Sequence, residues 1–411
     1  MSYEKDSKTN YLLRRIKHSY SNSSVVILGQ NGEGKSRLLV ELIDRAKDYD
    51  YKNVIAVSTS PFDKFPIRKK YNEISYNYVG VKGGGAGNSI LSLISSASLG
   101  LLNKDMHNDR NIERILSFLG ASSEVEYVFK VNPKITQHYS FANSNTKEIY
   151  NNLGLGLGEK APEISYDDLE SIKWSLNFLN YEVDKNKNFK VRLHIGKGAY
   201  IKSKKNHLDD INSHLLSLLK HDLIKLIDFR IEKNDFGWMS LRLASSGEQC
   251  ILLSLLGIAT HICNNSLILI DEPEISLHPE WQEKYISLLM RIFERHNSCL
   301  FVIATHSPQI VSKLDPFRSF IYTIKNDELV SASEYVKKSS DFQLANLFLA
   351  PGYKNEYLTR ELITFLTSPN EYMESSKSDE IRKIISLSNN IDTSDPVFKL
   401  IQIARKVISE I

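Results

Sequence analysis

Residues 29–36 combine glycines with a lysine and a serine in the order Gly-Gln-Asn-Gly-Glu-Gly-Lys-Ser. Glycines allow a backbone to curl so that its N–H groups face phosphate oxygens, and a lysine can neutralise phosphate charge. A hydroxyl directly after the lysine is a common ligand of the Mg²⁺ that accompanies a nucleotide. We therefore predict a nucleotide-binding loop that consists of Gly29, Asn31, Gly32, Gly34, Lys35, Ser36 and Arg37.

Two acidic residues, Asp271 and Glu272, follow the apolar run 267–270. The run predicts a buried strand, and ligands of α/β sheets bind at the carboxyl ends of strands. Asp271 is suited to hold Mg²⁺ together with Ser36. Glu272 is placed to polarise an attacking water.

Another apolar run, 300–304, is followed by Thr305 and His306. A histidine at the end of a buried strand, beyond the acidic pair, can contact a γ-phosphate and respond to its presence. We predict that Glu272, His306 and Lys35 are the catalytic residues. Ser36 and Asp271 are the predicted metal ligands.

The elements around these residues fit an α/β fold. Residues 25–28 form a short apolar run that predicts a buried strand, and residues 37–43 have the apolar spacing of a helix. A phosphate loop requires a strand before it and a helix after it. Residues 53–58 predict a further strand, which gives the first part of the chain an alternating β and α pattern.

A further motif, Ser-Ser-Gly-Glu-Gln at residues 245–249, precedes the acidic pair. In this order the motifs resemble those of the ATP-binding-cassette ATPase superfamily. The resemblance implies an ABC-type P-loop NTPase with a mixed or parallel sheet core, ATP and Mg²⁺ as cofactors, and ATP hydrolysis. It also implies a homodimer or higher homo-oligomer with composite sites, in which one protomer binds the other's nucleotide through Ser246, Gly247 and Glu248.

Two motifs are similar in sequence to those of OLD- and RecF-like ATPases. They are Asp-Glu-Pro-Glu-Ile-Ser-Leu-His-Pro at residues 271–279 and Ala-Thr-His-Ser-Pro at residues 304–308. That branch includes ATPases of Septu and retron-associated antiphage systems. The resemblance implies an ATPase subunit that regulates a separate effector, such as a nuclease. The alternatives are a RecF- or SMC-like DNA-binding ATPase of DNA maintenance or repair, an OLD-like nuclease, and a scaffold that binds ATP with little turnover.

The charge, the placement of acidic residues and the residue periodicity help to choose between these alternatives. The net charge of +3 is too small to indicate nucleic-acid binding, although such binding stays possible. The acids that follow the histidine motif are scattered without strand-end placement, which argues against a nuclease site in this chain. No sustained heptad pattern indicates an SMC-like arm.

One position departs from the superfamily pattern. A glutamine usually follows the second core strand, but no glutamine occurs here between Gln30 and Gln137. We expect either Gln137 or residues near Tyr78-Val79-Gly80 to take its place.

The chain is expected to contain four regions. These are a core lobe with the phosphate loop (1–87), an α+β insertion that serves as a lid or binds a partner (88–220), a second core lobe (221–325) and a mostly helical C-terminal region (326–411). Residues 223–231 and 237–243 predict a β-hairpin that leads into the Ser-Ser-Gly-Glu-Gln motif.

Cysteine usage and hydropathy point to a cytoplasmic protein. Cys250, Cys263 and Cys299 lack the spacing of a metal site and are expected to be buried thiols in a reducing compartment. Apolar runs are too short to span a membrane, and no N-terminal signal is visible. We therefore expect no membrane association.

Overall fold

The computed structural model describes residues 12–13, 21–30, 32–67, 71, 73–82, 94–95, 97–102, 110–132, 172, 183–195, 198–200, 211–375 and 377–410. The strands of this part of the chain are β1 (Ser23–Leu28), β2 (Asn53–Ser58), β3 (Ser75–Gly80), β4 (Ala121–Val131), β5 (Asn188–His194), β6 (Gly198–Tyr200), β7 (Ile224–Lys233), β8 (Gly237–Ser240), β9 (Ser266–Asp271), β10 (Leu300–Thr305), β11 (Ser319–Thr323) and β12 (Glu328–Ser331). The α-helices are α1 (Lys35–Arg45), α2 (Arg110–Phe118), α3 (Ile211–Lys220), α4 (Ser246–Ala259), α5 (Pro279–Ile292), α6 (Pro308–Ser312), α7 (Ser340–Asn346), α8 (Glu356–Thr367), α9 (Pro369–Glu374), α10 (Ser378–Ser386) and α11 (Pro396–Glu410).

The chain divides into two compact units. The first combines Met1–Asn77 with Cys263–Ile411, and the second is Tyr78–Ile262. The first unit is therefore assembled from two segments that are far apart in the sequence.

A seven-stranded sheet forms the centre of the first unit, with the strand order β12-β11-β1-β10-β9-β2-β3. The pairs from β11 through β2 are parallel, whereas β12 runs antiparallel to β11. Every residue of β1, β2, β9 and β10 is buried. Continuous apolar runs of this kind are typical of parallel strands that are covered on both faces.

Parallel pairing brings the carboxyl ends of the central strands to one edge of the sheet. The register pairs Leu28 with Thr305, Ala304 with Asp271, and Ser58 with Asp271. The segments that follow β1, β2, β9 and β10 therefore emerge side by side. This is the edge at which α/β sheets bind ligands.

The C-terminal helices of the first unit have an apolar cluster of their own. Side chains from α7 to α11 pack in it, among them the fully buried Leu358, Leu362, Phe365 and Ile381. Apart from β12, residues 326–410 contain no strand in the described part.

A five-stranded antiparallel sheet with the order β6-β5-β4-β7-β8 lies in the second unit. β7 and β8 form the predicted hairpin. β4 pairs with β7 over most of its length. The boundary expected at residue 220 therefore falls inside one sheet.

Helix α4 is almost wholly buried from Cys250 to Ala259. Gly257 permits a close approach here, since a Cβ atom at this position would lie 2.2 Å from Cγ1 of Val79. Val79 lies near the end of β3, in the part of that strand that belongs to the second unit. Only a glycine fits this contact without displacing the strand.

The cysteine prediction is wrong at one position. Cys250 and Cys299 are buried, but Cys263 is exposed. Helix α4 ends at Ala259, and Cys263 belongs to the turn that leads to β9, where the chain reaches the surface. Among the described residues, no helix is both long and apolar enough to cross a membrane.

Candidate nucleotide and metal site

The loop between β1 and α1 has the backbone conformation that its glycines permit. Gly32 and Gly34 have φ values of +87° and +100°. Residues with a side chain rarely adopt this region, so the turn requires glycine at both positions. Helix α1 begins directly after Gly34, and its first N–H groups have no partner within the helix. They are available to an anion in the loop.

Lys35 is buried and spans the loop. Its Nζ donates hydrogen bonds to the carbonyl oxygens of Gly29 at 2.9 Å and Gln30 at 3.3 Å. It also lies 3.8 Å from Oε1 of Glu272. The ammonium group thus lies between the loop backbone and the carboxylate of Glu272, which is predicted from the sequence to be catalytic.

Glu33 closes the loop, a role that was not predicted from the sequence. The Gln30 N–H donates to Oε2 of Glu33 at 2.7 Å, and the Glu33 N–H donates to the Gln30 carbonyl at 3.2 Å. Gly29 leaves room for this carboxylate, because a Cβ on Gly29 would lie 2.7 Å from Oε2 of Glu33.

A cavity of about 560 Å³ opens at this loop. It is lined by Gly32, Gly34, Lys35, Ser36, Arg37, Val40, Lys64 and Glu272. Six of these residues were predicted from the sequence, whereas Val40 and Lys64 are additions. Asn31, which was also predicted to bind nucleotide, lies outside the described residues.

Asp271 is the last residue of β9 and is only 4% exposed. Burial raises the pKa of its carboxyl group to about 6; a hydrogen bond from Ser36 opposes the rise, and the charges of Glu272 and Asp63 add to it. Within the described part of the chain, its Oδ1 atom has no hydrogen-bond partner. A buried carboxylate oxygen of this kind, next to a serine hydroxyl, fits the oxygen ligands that Mg²⁺ prefers.

Glu272 follows in a strained backbone conformation. Its φ is +46°, and its N–H donates to the Ala304 carbonyl at 2.9 Å. The side chain lines the cavity, and its Oε1 lies 3.5 Å from Nδ1 of His306. A non-glycine residue in the left-handed region persists only when its surroundings hold it there.

Glu274 fixes the end of β10, a role that was not predicted from the sequence. Its buried Oε1 accepts hydrogen bonds from Thr305 Oγ1 at 2.7 Å and from the His306 N–H at 2.8 Å. Nδ1 of His306 lies 3.2 Å from the same oxygen. The available signal was an acid two residues beyond Glu272, across a proline that begins a short 3-10 turn (Pro273–Ser276).

Ser307 extends this network into helix α5. Its hydroxyl donates to Oε1 of Gln282 at 2.6 Å, and Nε2 of Gln282 donates to the Leu277 carbonyl at 2.8 Å. The segments after β9 and β10 are therefore cross-linked by side chains. Such support holds a reactive group in place.

The Ser-Ser-Gly-Glu-Gln motif lies in the second unit, at the start of α4. Ser245 and Glu248 form a capping box: the Glu248 N–H donates to Ser245 Oγ at 3.3 Å, and the Ser245 N–H donates to Glu248 Oε2 at 3.1 Å. Ser246 is exposed, and Gly247 is half-buried. The first turn of α4 thus presents Ser246 at the surface.

Glu248 is engaged within its own unit. Its Oε1 accepts a hydrogen bond from Nζ of Lys233 on β7 at 3.0 Å. Although burial acts to raise it, hydrogen bonds from Lys233 and Ser245 keep the pKa of Glu248 below its usual value. A direct contact between Glu248 and nucleotide stays a prediction, while its observed contacts shape the loop that carries Ser246.

The first unit thus brings together most of the predicted site residues, namely Gly29, Gly32, Gly34, Lys35, Ser36, Arg37, Asp271, Glu272 and His306. Residues 116–312 match a family model described as "AAA domain, putative AbiEii toxin, Type IV TA system". The match covers the capping-box motif, the acidic pair and the histidine, and the phosphate loop precedes it. Fold, site and family match together define an ATPase domain of the P-loop type.

Curated relatives match over limited stretches. The Retron Ec83 probable ATPase of Escherichia coli is 31% identical over 134 residues, which cover 30% of this chain and 24% of that protein. Protein ea59 of Escherichia phage lambda is 31% identical over 70 residues, or 17% of this chain and 13% of that protein. The chain therefore aligns with less than a quarter of the length of either curated relative.

Two solved ATP-binding cassettes of ABC transporters also align with the chain. One, in an ADP conformation, has 11% identity and a TM-score of 0.24, with coverage of 76% of this chain and 80% of the cassette. The other, nucleotide-free, has 12% identity and the same TM-score of 0.24, with coverage of 78% and 85%.

Proposed function

We propose that this chain binds and hydrolyses ATP with Mg²⁺, acts as a head-to-head homodimer, and regulates a separate effector such as a nuclease in bacterial antiphage defence. The observation that carries the proposal is the meeting of Lys35, Ser36, Asp271, Glu272 and His306 at one edge of the parallel sheet. Glu272 forms ion-pair contacts with Lys35 and with His306. The Ser36 side chain forms a hydrogen bond with Asp271.

The loop supplies the groups that would bind the phosphates of ATP. The N–H groups at the start of α1 and the ammonium of Lys35 are the donors. In the complex, Lys35 would exchange its carbonyl partners for phosphate oxygens. Ser36 and Asp271 would hold Mg²⁺, which neutralises charge on the β- and γ-phosphates.

Hydrolysis requires a base and a group that senses the γ-phosphate. The oxygen of water attacks the γ-phosphorus, and the bond from that phosphorus to the oxygen bridging the β- and γ-phosphates breaks. Glu272 accepts the proton that the water loses, and ADP departs with the bonding electrons. His306, held by Glu274, is placed to donate a hydrogen bond to the γ-phosphate.

Dimerisation is supported by the surface position of the capping-box motif. In a head-to-head dimer, Ser246 and the Gly247 N–H of one protomer would bind the γ-phosphate held by the other. An exposed serine at the N-terminus of a buried helix suits this contact, since the helix dipole favours an anion there. ATP would then close the dimer, and hydrolysis would release it.

The similarity to a retron ATPase and the sequences of the motifs support the proposed regulatory role. That similarity extends over only 30% of this chain. The partner and the pathway are therefore part of what we propose. The competing role is a DNA clamp of the RecF type, in which DNA binds the closed dimer.

The first experiment compares the wild-type protein with Glu272→Gln and Lys35→Ala. We expect the wild type to release phosphate from ATP. Glu272→Gln should retain ATP and accumulate as a dimer, because the base is lost while the binding groups remain. Lys35→Ala should bind ATP poorly. A Glu272→Gln protein with wild-type turnover would contradict the assigned base.

The second experiment addresses the partner. Glu272→Gln purified from its host in ATP is analysed by mass spectrometry, with Lys35→Ala as the control. A nuclease that copurifies only with the ATP-locked form supports effector regulation. A closed dimer without a partner that binds DNA in a direct assay favours the clamp instead.

A further inference from the structure

The loop that follows β2 carries a buried acid at the same sheet edge as Asp271. β2 pairs directly with β9, with Ser58 opposite Asp271 in the register. The loop continues from Ser58 to Asp63, whose side chain is only 5% exposed. Its Oδ1 accepts a hydrogen bond from the Phe65 N–H at 2.8 Å, which fixes the carboxylate in a tight turn.

Two further observations place this loop at the nucleotide cavity. Lys64, the residue after Asp63, lines the cavity together with Lys35 and Ser36. Asp271 ends the strand that pairs with β2, and Ser58, from which this loop departs, is its partner in the register. Asp63 and Asp271 therefore stand at the same edge of the sheet, where the neighbouring strands β2 and β9 end.

Neighbouring buried carboxylates repel each other unless a cation or a proton lies between them. The Oδ1 atom of Asp271 is buried and has no hydrogen-bond partner among the described residues, although its other contacts include the Ser36 hydroxyl. Mg²⁺ in nucleotide sites is bound by one or two carboxylates in addition to phosphate oxygens and water. The arrangement thus has the composition of a magnesium site with one more acid than the sequence motifs identify.

We infer that Asp63 contributes a second carboxylate to the Mg²⁺ site of Ser36 and Asp271, either as a ligand or through a bound water. This inference rests on the proposed ATP-binding function and adds a residue to it. It also assigns a role to the segment after the second core strand, where the sequence lacks a glutamine. Gln137 lies outside the described residues, and Tyr78, Val79 and Gly80 form the end of β3.

The competing explanation is that Asp63 only shapes its turn. Asp63→Asn distinguishes a role in the metal site from a role in the turn. An asparagine Oδ1 can still accept the hydrogen bond from the Phe65 N–H, while the negative charge is lost. Asp395 offers a matched control: it is also buried, and its Oδ1 accepts the Val397 N–H at 2.9 Å in the C-terminal region. Asp395→Asn removes a similar charge from a similar turn.

The readout is ATP affinity by calorimetry, in Mg²⁺ and in EDTA, with Asp271→Asn for comparison. Loss of a group that supports a metal ligand typically weakens metal binding about 10- to 100-fold. We expect Asp63→Asn to lower the gain in affinity that Mg²⁺ provides by about 10-fold. Affinity in EDTA should be equal or higher, because one carboxylate no longer repels the phosphates. Asp395→Asn should behave as wild type.

An Asp63→Asn protein with the wild-type response to Mg²⁺ would overturn the inference and leave the proposed function intact. A wild-type protein that fails to bind ATP in either condition would overturn both. A second measurement needs no variant: Fe²⁺ substituted for Mg²⁺, with ascorbate and peroxide, cleaves the backbone near the metal. Cleavage at the loop after β2 as well as near Asp271 supports the inference, and cleavage near Asp271 alone contradicts it.

Discussion

Glu274 connects the two segments that carry the chemistry of this site. Its side chain accepts hydrogen bonds from the Thr305 hydroxyl and the His306 N–H, while the acidic pair lies just before it in the chain. Because the carboxylate is buried, these hydrogen bonds are little weakened by solvent. Glu274 therefore sets both the position of His306 and the orientation of its ring.

At the residue scale, Glu274→Gln should impair turnover more than binding. The amide keeps the volume, but it loses the charge and replaces one acceptor with a donor. Misplacement of a reactive group by about 1 Å can cost about 10²-fold in rate, so we expect kcat to fall by that order. ATP affinity should change little. Phosphate release and ATP binding measure the two quantities.

Glu280→Gln is the control for Glu274→Gln. Glu280 is exposed on α5 and pairs with Lys284. Its loss should leave turnover at the wild-type level. Equal effects of the two substitutions would show that Glu274 acts through general charge rather than through its hydrogen bonds.

At the scale of elements, the turn from β1 to α1 owes its shape to a backbone that only glycine tolerates. Gly34 has a φ of +100°, and a Cβ there would meet no atom within 4 Å. The constraint is therefore conformational rather than steric. Lys35 and Ser36 are positioned because α1 begins directly after this glycine.

Gly34→Ala should strain the loop. A left-handed conformation costs a residue with a side chain about 1–2 kcal/mol, so the free energy of unfolding should fall by about that amount. ATP binding should weaken as well, because relief of the strain moves Lys35. Gly352 is the matched control, with a φ of +74° and open space around it in the C-terminal region. Gly352→Ala should cost similar stability in chemical denaturation but leave ATP binding unchanged.

The second unit links its antiparallel sheet to α4 through Lys233 and Glu248. Lys233 is the last residue of β7, and Glu248 belongs to the capping box at the start of α4. The same carboxylate thus contacts the sheet and holds the turn that presents Ser246. We expect the link to position the motif rather than to stabilise the fold, since partly exposed ion pairs contribute under about 1 kcal/mol.

Glu248→Gln should therefore lower the free energy of unfolding only slightly. It should lower the rate of ATP turnover more strongly at protein concentrations that favour dimers. Binding of ATP by monomers should not change. Glu232→Gln is the control, because Glu232 precedes Lys233 on β7 and bonds Ser122 instead. If Glu248→Gln left turnover intact, the pair would have no part in presenting Ser246.

At the scale of the whole molecule, the proposed homodimer would share each ATP site between two chains. The phosphate loop and the acids belong to the first unit, whereas Ser246 belongs to the second. Lys35→Ala and Ser246→Arg should each abolish turnover. A mixed dimer should regain one intact site.

Equal amounts of the two inactive variants should therefore restore about a quarter of wild-type activity, because half of the dimers are mixed and each has one working site. The measurement is phosphate release after the variants are mixed and allowed to exchange. Mixing either variant with itself is the control. If the mixture stays inactive while exchange is verified, the site is not shared between protomers.

Local sequence was sufficient to predict much of this architecture. Apolar runs predicted β1, β2, β9 and β10, because strands buried on both faces leave a continuous pattern. The glycines and Lys35 predicted the phosphate loop, since few backbones other than a phosphate-binding turn use this spacing. The cysteine prediction failed at Cys263, because a turn can bring an apolar-flanked residue to the surface.

The sequence by itself determined the residues that can bind phosphate and metal, since their types and short-range spacing carry that chemistry. Only the tertiary structure decided that Lys64 and Glu274 join them. Parallel pairing of β2, β9 and β10 brings Asp63, Asp271 and His306 to one edge, although long stretches of chain separate them. Neither the buried contacts of Glu274 nor the pairing of Lys233 with Glu248 follows from local spacing, because both depend on how separate strands and helices pack.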